Sequence, residues 1–316
     1  VVAVAFYSCG DDDDNSVEPP RLLAEQVVED DAEIRAWLSS HFYNYEEFEN
    51  PPVGFDYKIV VDTIEGENID KIPLIDQVQQ ATVLISNEQF NLPVNETDIP
   101  HTYYYLVARE GVGPSPSVAD SVFVRYEGLL LDGNTFDGSI STPLWFDSSS
   151  IQAPLQGFRG FSEAMVNFKS GGAPIINPDG TFSVEDYGIG MFILPSGLAA
   201  FNSVSGIISQ YTPIRFDVDL FTINQTDHDG DGIPSIIEDV NGNGYLYDDN
   251  TDEASENQIR TFNIVDFLDA DDDGDGVLTR EEINLDEEGN LILPFPDSDG
   301  DGIPDYLDAD SSPPKD

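Results

Sequence analysis

The spacing of apolar and polar positions divides the chain into segments of different character. In RLLAEQVVEDDAEIRAWLSSHFYN, Arg21–Asn44, Leu23, Val27, Ile34 and Leu38 recur at helical spacings, with Trp37 beside them, so one helix is predicted. Glu25, Asp30 and Glu33 fall mostly away from that face. NPPVG breaks the pattern, and residues 55–100 hold short strand-like runs, YKIVVDTI and ATVLIS, between polar turns. From His101 the alternation is cleaner. TYYYLVAREG and SVFVRYEGLLLDG read as strands, and GFRGFSEAMVNFKSGG as an amphipathic helix stopped by Gly171 and Gly172. MFILPSGLAAF is an apolar strand entering a Pro-marked turn, and IRFDVDLFTI closes the sheet. Strands with one helix across them predict an α+β domain over residues 101–224, after a helical and mixed segment at 21–100.

The composition shifts abruptly after Ile223, and nearly half of the chain's 62 acidic residues lie from Asp227 onward. Within 225–316, three windows share one grammar: DHDGDGIPSIIE, DDDGDGVLTREE and DSDGDGIPDYLD. Each has Asp at positions one, three and five, Gly at six and a carboxylate at twelve. Hard cations take oxygen ligands, and calcium accepts six to eight of them in flexible geometry. Alternate carboxylates converge on one point, Gly allows the sharp turn, position seven offers its backbone carbonyl and position twelve closes the site. The predicted calcium ligands are Asp227, Asp229, Asp231, Ile233 and Glu238; Asp271, Asp273, Asp275, Val277 and Glu282; and Asp297, Asp299, Asp301, Ile303 and Asp308. A weaker version uses Asp239, Asn241 and Asn243 of DVNGNG. A strand precedes the first loop, and Pro234 and Pro304 follow the carbonyl position, so these are not sensor helix-loop-helix pairs. The pattern resembles thrombospondin type 3 repeats, which implies a loop-rich region where cations stand in for a hydrophobic core.

A net charge of −50 with only 12 Lys and Arg excludes a nucleic-acid partner, because binding one means neutralising phosphates. With three His in the chain a histidine-based active site is not expected, and a single cysteine, Cys9, forbids an internal disulfide. The first residues, VVAVAFYSCG, read as the end of a signal-peptide apolar region. Ser8-Cys9 resembles a bacterial lipoprotein cleavage site, which makes Cys9 the lipidated residue, with an acidic tether to residue 20. The acidic run after Cys9 resembles the surface-export signal of lipoproteins in the Bacteroidota, which implies an outer-membrane lipoprotein facing the cell surface.

The run YEGLLLDGNTFDGS carries the second resemblance. It is similar to the strand-turn-strand of FKBP-type peptidyl-prolyl cis-trans isomerases, and GFRGFSEAM, ILPSGLA and GIISQYTPIRFDVDL follow in the family's order from about Tyr103 to Ile223. The resemblance implies an FKBP-like antiparallel sheet wrapped on one helix. It also implies an aromatic pocket for a Pro ring, lined by Tyr126, Phe136, Asp137, Phe158, Phe161, Ile207 and Phe216. Clients would be Pro-containing polypeptides, exported or in the outer membrane. The family's AYG, whose Tyr hydroxyl bonds the ligand, aligns with AAF, so Ala200 stands where that Tyr belongs. Residues 174–190 look like an insertion, and their Tyr187 is a candidate replacement. Two functions stay open: a surface-anchored isomerase and chaperone, and an inactive FKBP-like binding subunit of an outer-membrane complex stiffened by calcium.

Overall fold

The computed structural model describes residues 19–153, 156–259 and 262–311. The lipidation site expected at Cys9 lies outside them. Among the described residues no helix is long and apolar enough to cross a membrane.

Helix α1 spans Leu23–Ser40. Its N-terminus is capped from a distance, because the backbone N–H groups of Leu23 and Ala24 donate to the Glu96 carboxylate at 2.7 and 3.0 Å. The helix stops earlier than predicted. His41 is extended, and His41–Tyr43 (β1) pairs with Val61–Thr63 (β2), with the short α2, Tyr45–Glu49, between them. Ile34 and Leu38 are fully buried as expected. Asp30 departs from expectation: it is 1% exposed and faces inward. The reason is that it caps a turn in a remote segment, accepting from the Ser196 backbone N–H and hydroxyl.

The main sheet has six antiparallel strands: β3 (Gln79–Ile85), β4 (Ile99–Arg109), β5 (Ser121–Leu130), β6 (Thr135–Asp147), β9 (Gly188–Leu194) and β10 (Ile214–Asn224). Their order is β3-β4-β9-β10-β5-β6. The sheet therefore crosses residue 100, since its edge strand β3 comes from the segment before it. Strand β9, GIGMFIL, is buried at every position, because both faces of the sheet are covered there. On one face Phe192 and Leu194 join Phe161, Met165 and Phe168. On the other Ile189, Met191 and Ile193 join Ile34 and Leu38 of α1. That double cover explains a continuous apolar run where a half-exposed strand would alternate. Each such side chain contributes about 1.5–3 kcal/mol relative to exposure.

After β6 comes α3, Ser148–Gln152, whose N-terminus is capped by Asp147. Helix α4 is Arg159–Met165, shorter than the predicted run because tight turns follow it; the Asn167 and Phe168 N–H groups donate to Ala164 and Met165 carbonyls. Phe168 stays fully buried beyond its end. The 174–190 insertion forms the small hairpin β7–β8, Ile175–Ile176 with Phe182–Ser183.

The acidic region holds α5 (Glu253–Ile259), α6 (Thr279–Glu282) and a hairpin of β11 (Asn284–Leu285) with β12 (Leu291–Ile292). It is not without apolar packing, which corrects the expectation that cations alone stand in for a core. Ile233, Ile283 and Tyr306 form one buried cluster. Leu246 and Phe267 form another with Ala119 of the sheet domain, so the region docks on its neighbour. The Leu246 N–H also donates to the Gln152 side chain at 3.1 Å, and His228 meets Asp147 at 3.2 Å.

Candidate functional site

A cavity of about 930 Å³ opens between α4, the sheet and the turns after β9. Tyr126, Phe136, Asp137, Phe158, Phe161 and Phe216 line it together. The strand register explains the convergence. Tyr126 and Gly128 are on β5, two residues apart and so on one face; Gly128 pairs with Phe216 of β10 on one side and Asp137 of β6 on the other. Phe216 packs edge-on against Phe136 and Phe161, with ring centroids 5.5 and 5.3 Å away. Gly128 is required by this stack, since a Cβ there would lie 2.6 Å from the Phe136 ring. Gly160 plays the same part under the floor, where a Cβ would meet the Leu198 carbonyl at 2.6 Å.

The Tyr126 hydroxyl donates to Asp137 Oδ2 at 2.7 Å. Burial, and then the Asp137 charge, push the Tyr126 phenol well above its ordinary value, so its proton stays in that bond. Asp137 is exposed at the mouth, and its other oxygen accepts from the Gly138 N–H at 2.8 Å. A fixed carboxylate thus stands at the edge of an aromatic, water-poor floor.

Ile207 is a correction. It is 53% exposed and does not line the cavity, whereas Ile208 is 2% exposed and does. A two-residue apolar pair such as GII leaves open which side chain turns inward, and the isolated bridge between Ser205 and Ile208 decides it. Phe146 was missed, although alternation with the half-exposed Trp145 marks it as the inward residue of LWF. It packs on Tyr126 and Phe161 at 5.1 and 5.4 Å. Phe90, between β3 and β4, and Tyr245, in the acidic region, also line the cavity, and no local signal marks them.

Ala200 lines the wall and offers no hydroxyl. Tyr187 does not replace it. Its ring packs at a tilt on Phe221, with centroids 4.4 Å apart, and its hydroxyl accepts from Arg125 at 3.1 Å, away from the cavity. The polar side chains following Ala200 along the wall are Asn202, Ser203 and Ser205. Phe201, next to Ala200, holds a left-handed φ of 44°, a strained position for an aromatic residue. Its ring is fully buried against Phe90 and Tyr211, which hold it there.

The acidic windows form real loops. Glycines at position six, Gly232, Gly276 and Gly302, take φ of 108°, 91° and 99°. Position seven repeats too: the N–H groups of Ile233, Val277 and Ile303 each donate to the position-five carboxylate. Oxygens of Asp271, Asp273 and Asp275 lie within 4.8 Å of one another, as do those of Asp297, Asp299 and Asp301. Glu282 and Asp308 stand outside these sets. Glu282 is 2% exposed with both oxygens unpartnered, and burial and the three Asp charges push it up to about 8. In the first window Asp229, Asp231 and Glu238 group with Asp272, and Asp227 is not among them. Asp252, Glu256 and Asp269 make a further group that the windows did not mark. The loop 239–250 closes similarly, with the Tyr245 N–H donating to Asn243 Oδ1 at 2.6 Å. Buried carboxylate oxygens without hydrogen-bond partners fit a hard cation, because an ionised carboxylate in such a place is otherwise very costly.

Parts of the chain are similar to FKBP-type peptidyl-prolyl cis-trans isomerases. Over 100 residues, 31% of this chain, the sequence is 29% identical to the probable FKBP-type peptidyl-prolyl cis-trans isomerase FkpA of Neisseria meningitidis serogroup B. It is 36% identical over 70 residues, 22% of the chain, to FkpA of Escherichia coli K12. The match spans 35% of the first relative's length and 24% of the second's. Among solved structures, a peptidyl-prolyl cis-trans isomerase of Pseudomonas syringae pv. tomato matches with a TM-score of 0.31 and 27% identity, over 39% of this chain and 76% of that one. A family model described as BamM C-terminal matches residues 228–296, within the acidic region.

Proposed function

We propose that the chain binds Pro-containing polypeptides in the aromatic cavity and speeds cis-trans isomerisation of their X-Pro bonds. The observation that carries this is the cavity itself, an aromatic floor with the Tyr126–Asp137 pair at its mouth. Rotation about a peptide bond faces a barrier of about 18–20 kcal/mol because resonance must be broken. A site that binds the twisted amide more tightly than either planar form lowers that barrier with no covalent or proton-transfer step. Phe136, Phe158, Phe161 and Phe216 hold the ring and exclude water. Asp137, kept in place by Tyr126, faces the twisting amide.

A second reading, a binding subunit with little or no turnover, is favoured by one observation: Ala200 puts a methyl group at the position where the resemblance expects a Tyr hydroxyl. Exchange spectroscopy on a Pro-containing peptide with the full chain separates the two. The isomerase reading expects a weak acceleration that Ala200→Tyr increases. Binding without acceleration moves the assignment to the second reading, and neither binding nor acceleration removes both.

The same proposal includes calcium in the acidic loops. Support comes from the oxygen-only donor sets and from the unpartnered buried oxygens of Asp229, Asp231, Glu238, Asp272, Asp273 and Glu282. It also includes an outer-membrane location through lipid on Cys9, supported by the apolar run, the Ser8-Cys9 pair and the acidic tether. Clients there would be exported or outer-membrane proteins. Cys9→Ser, followed by membrane fractionation, tests the anchor; a variant that stays in the membrane with a lipid mass overturns it.

A further inference from the structure

We infer that the first acidic window does not hold its cation alone: Asp229, Asp231 and Glu238 form one calcium site together with Asp272, which belongs to the second window. The inference rests on the calcium reading above and goes beyond it, because it changes the ligand set and makes the ion a staple between repeats.

One oxygen from each of the four residues lies within 4.8 Å of the other three. Glu238 and Asp272 are each 1% exposed, and Asp231 is 2% exposed. Both oxygens of Glu238, both of Asp272, Asp229 Oδ2 and Asp231 Oδ2 have no hydrogen-bond partner. A buried charge left unpaired is strongly destabilising, and here four converge with no cationic side chain among the described residues bonded to them. Arg280, the basic group acting on Asp231, instead donates to the Gly230 carbonyl at 3.4 Å. Six free oxygens of hard character meet calcium's need for six to eight, at distances a flexible cage can adjust. Magnesium demands stricter octahedral geometry and keeps several waters, which a site this buried does not favour.

Asp272 differs from its counterparts in the other windows. Position two is fixed in all three by its own loop, its N–H donating to the side chain at position nine: His228 to Ser235, Asp272 to Thr279 and Ser298 to Asp305. The side chains then diverge. The His228 ring turns to Asp147, and the Ser298 hydroxyl returns to Asp305 at 2.6 Å. The Asp272 carboxylate oxygens have no hydrogen-bond partner, and the group converges with Asp229, Asp231 and Glu238 of the neighbouring window. Asp227, the expected first ligand, is occupied in the turn, its oxygens accepting from Gly230 and Gly232 at 2.8 and 3.1 Å. One ion would thus tie loops some forty positions apart, beside the apolar cluster of Ile233, Ile283 and Tyr306.

The test counts calcium bound to the full chain by native mass spectrometry, with affinities by titration. Asp272→Ser introduces the residue that the third window carries at the same position. It should remove one ion; Glu238→Gln added to it should remove no second one, whereas Glu282→Gln added to it should. Asp272→Asn, which keeps the shape, should weaken one site about tenfold or more, as loss of a ligand or its orienting partner does. A full complement and unmoved affinities in both Asp272 variants overturn the inference while leaving the calcium reading intact. Coupling of Asp272 to Glu282 in place of Glu238 overturns it equally. A wild-type chain that binds no calcium removes both.

Discussion

Asp30 accepts two hydrogen bonds from Ser196, from its backbone N–H at 2.7 Å and its hydroxyl at 2.6 Å, across 166 positions of sequence. Gln26 supplies a third at 2.7 Å. Ser196 opens the turn that runs into Leu198, Ala199 and Ala200, all of which line the cavity. Helix α1 is therefore both the cover of the back of the sheet and the anchor of one cavity wall.

Asp30→Ala should then act on stability and binding together. Each buried donor left unpaired costs about 1–3 kcal/mol. The chemical-denaturation midpoint should fall, and affinity for a Pro-containing peptide should fall with it as the turn loosens. An unchanged midpoint would show that Asp30 does not hold the turn.

At the cavity mouth Tyr126→Phe keeps the ring and deletes the bond to Asp137. A hydrogen bond to a charged group contributes about 1.5–3 kcal/mol, so the folded state should lose up to that amount while the aromatic floor persists. Asp137→Ala and Phe216→Ala should both lower peptide binding and any isomerisation. Gly128→Ala should do so with no polar group removed, because its Cβ displaces the Phe136 ring. Wild-type affinity in Gly128→Ala would mean that the ring does not contact the peptide.

The strands were legible because alternation sets the face of each; the six cavity residues came from the resemblance carried by YEGLLLDGNTFDGS and the motifs after it, and the register of β6 against β5 brings Asp137 beside Gly128. Ile207 against Ile208 was not legible, since a pair of identical residues carries no phase. Asp30 was misread because a charge on a helix usually marks the wet side, and its partner is a remote turn. Val27, by contrast, is only partly buried despite its place in the apolar pattern. In the acidic region the loops were legible from glycine and aspartate spacing. The exchange of Asp272 between windows was not, because spacing describes one loop at a time.

Without cation, the acidic loops should show an inverted pH dependence. Burial and like charges push Asp273 up to about 6, Asp229 to about 7, Glu282 to about 8 and Asp272 to about 9, against ordinary values of 3.8 and 4.5. The folded region then binds more protons than the unfolded one, so its stability is greatest below about pH 4 and is lost as pH rises towards 9. In chelator, proteolysis of residues beyond 227 should therefore slow as the pH is lowered through that window. Calcium needs the deprotonated ligands, so its binding near pH 7 should release protons, measurable by calorimetry in buffers of different ionisation enthalpy. Faster cleavage at the acid end, or calcium binding with no proton release, would contradict the cation-free protonation described here.

Tyr245 connects the two halves of the molecule. It sits at position seven of the loop 239–250, lines the cavity, and is covered by the Arg159 guanidinium at 4.7 Å from its ring centre. Arg159 is in the first turn of α4, pairs with Glu163 at 2.9 Å and donates to the Asn243 carbonyl at 3.2 Å. Anything that orders the acidic region should thus order this wall of the cavity. Calcium should tighten peptide binding, and by linkage the peptide should tighten calcium binding by the same factor. Tyr245→Ala should weaken peptide binding in calcium and reduce that coupling, while calcium stoichiometry stays as in the wild type, since the calcium proposal uses no side chain at position seven. Titrations of peptide with and without calcium, on both proteins, measure it. If chelation leaves peptide affinity unchanged in the wild type, the acidic region is a neighbour of the pocket and not a part of it.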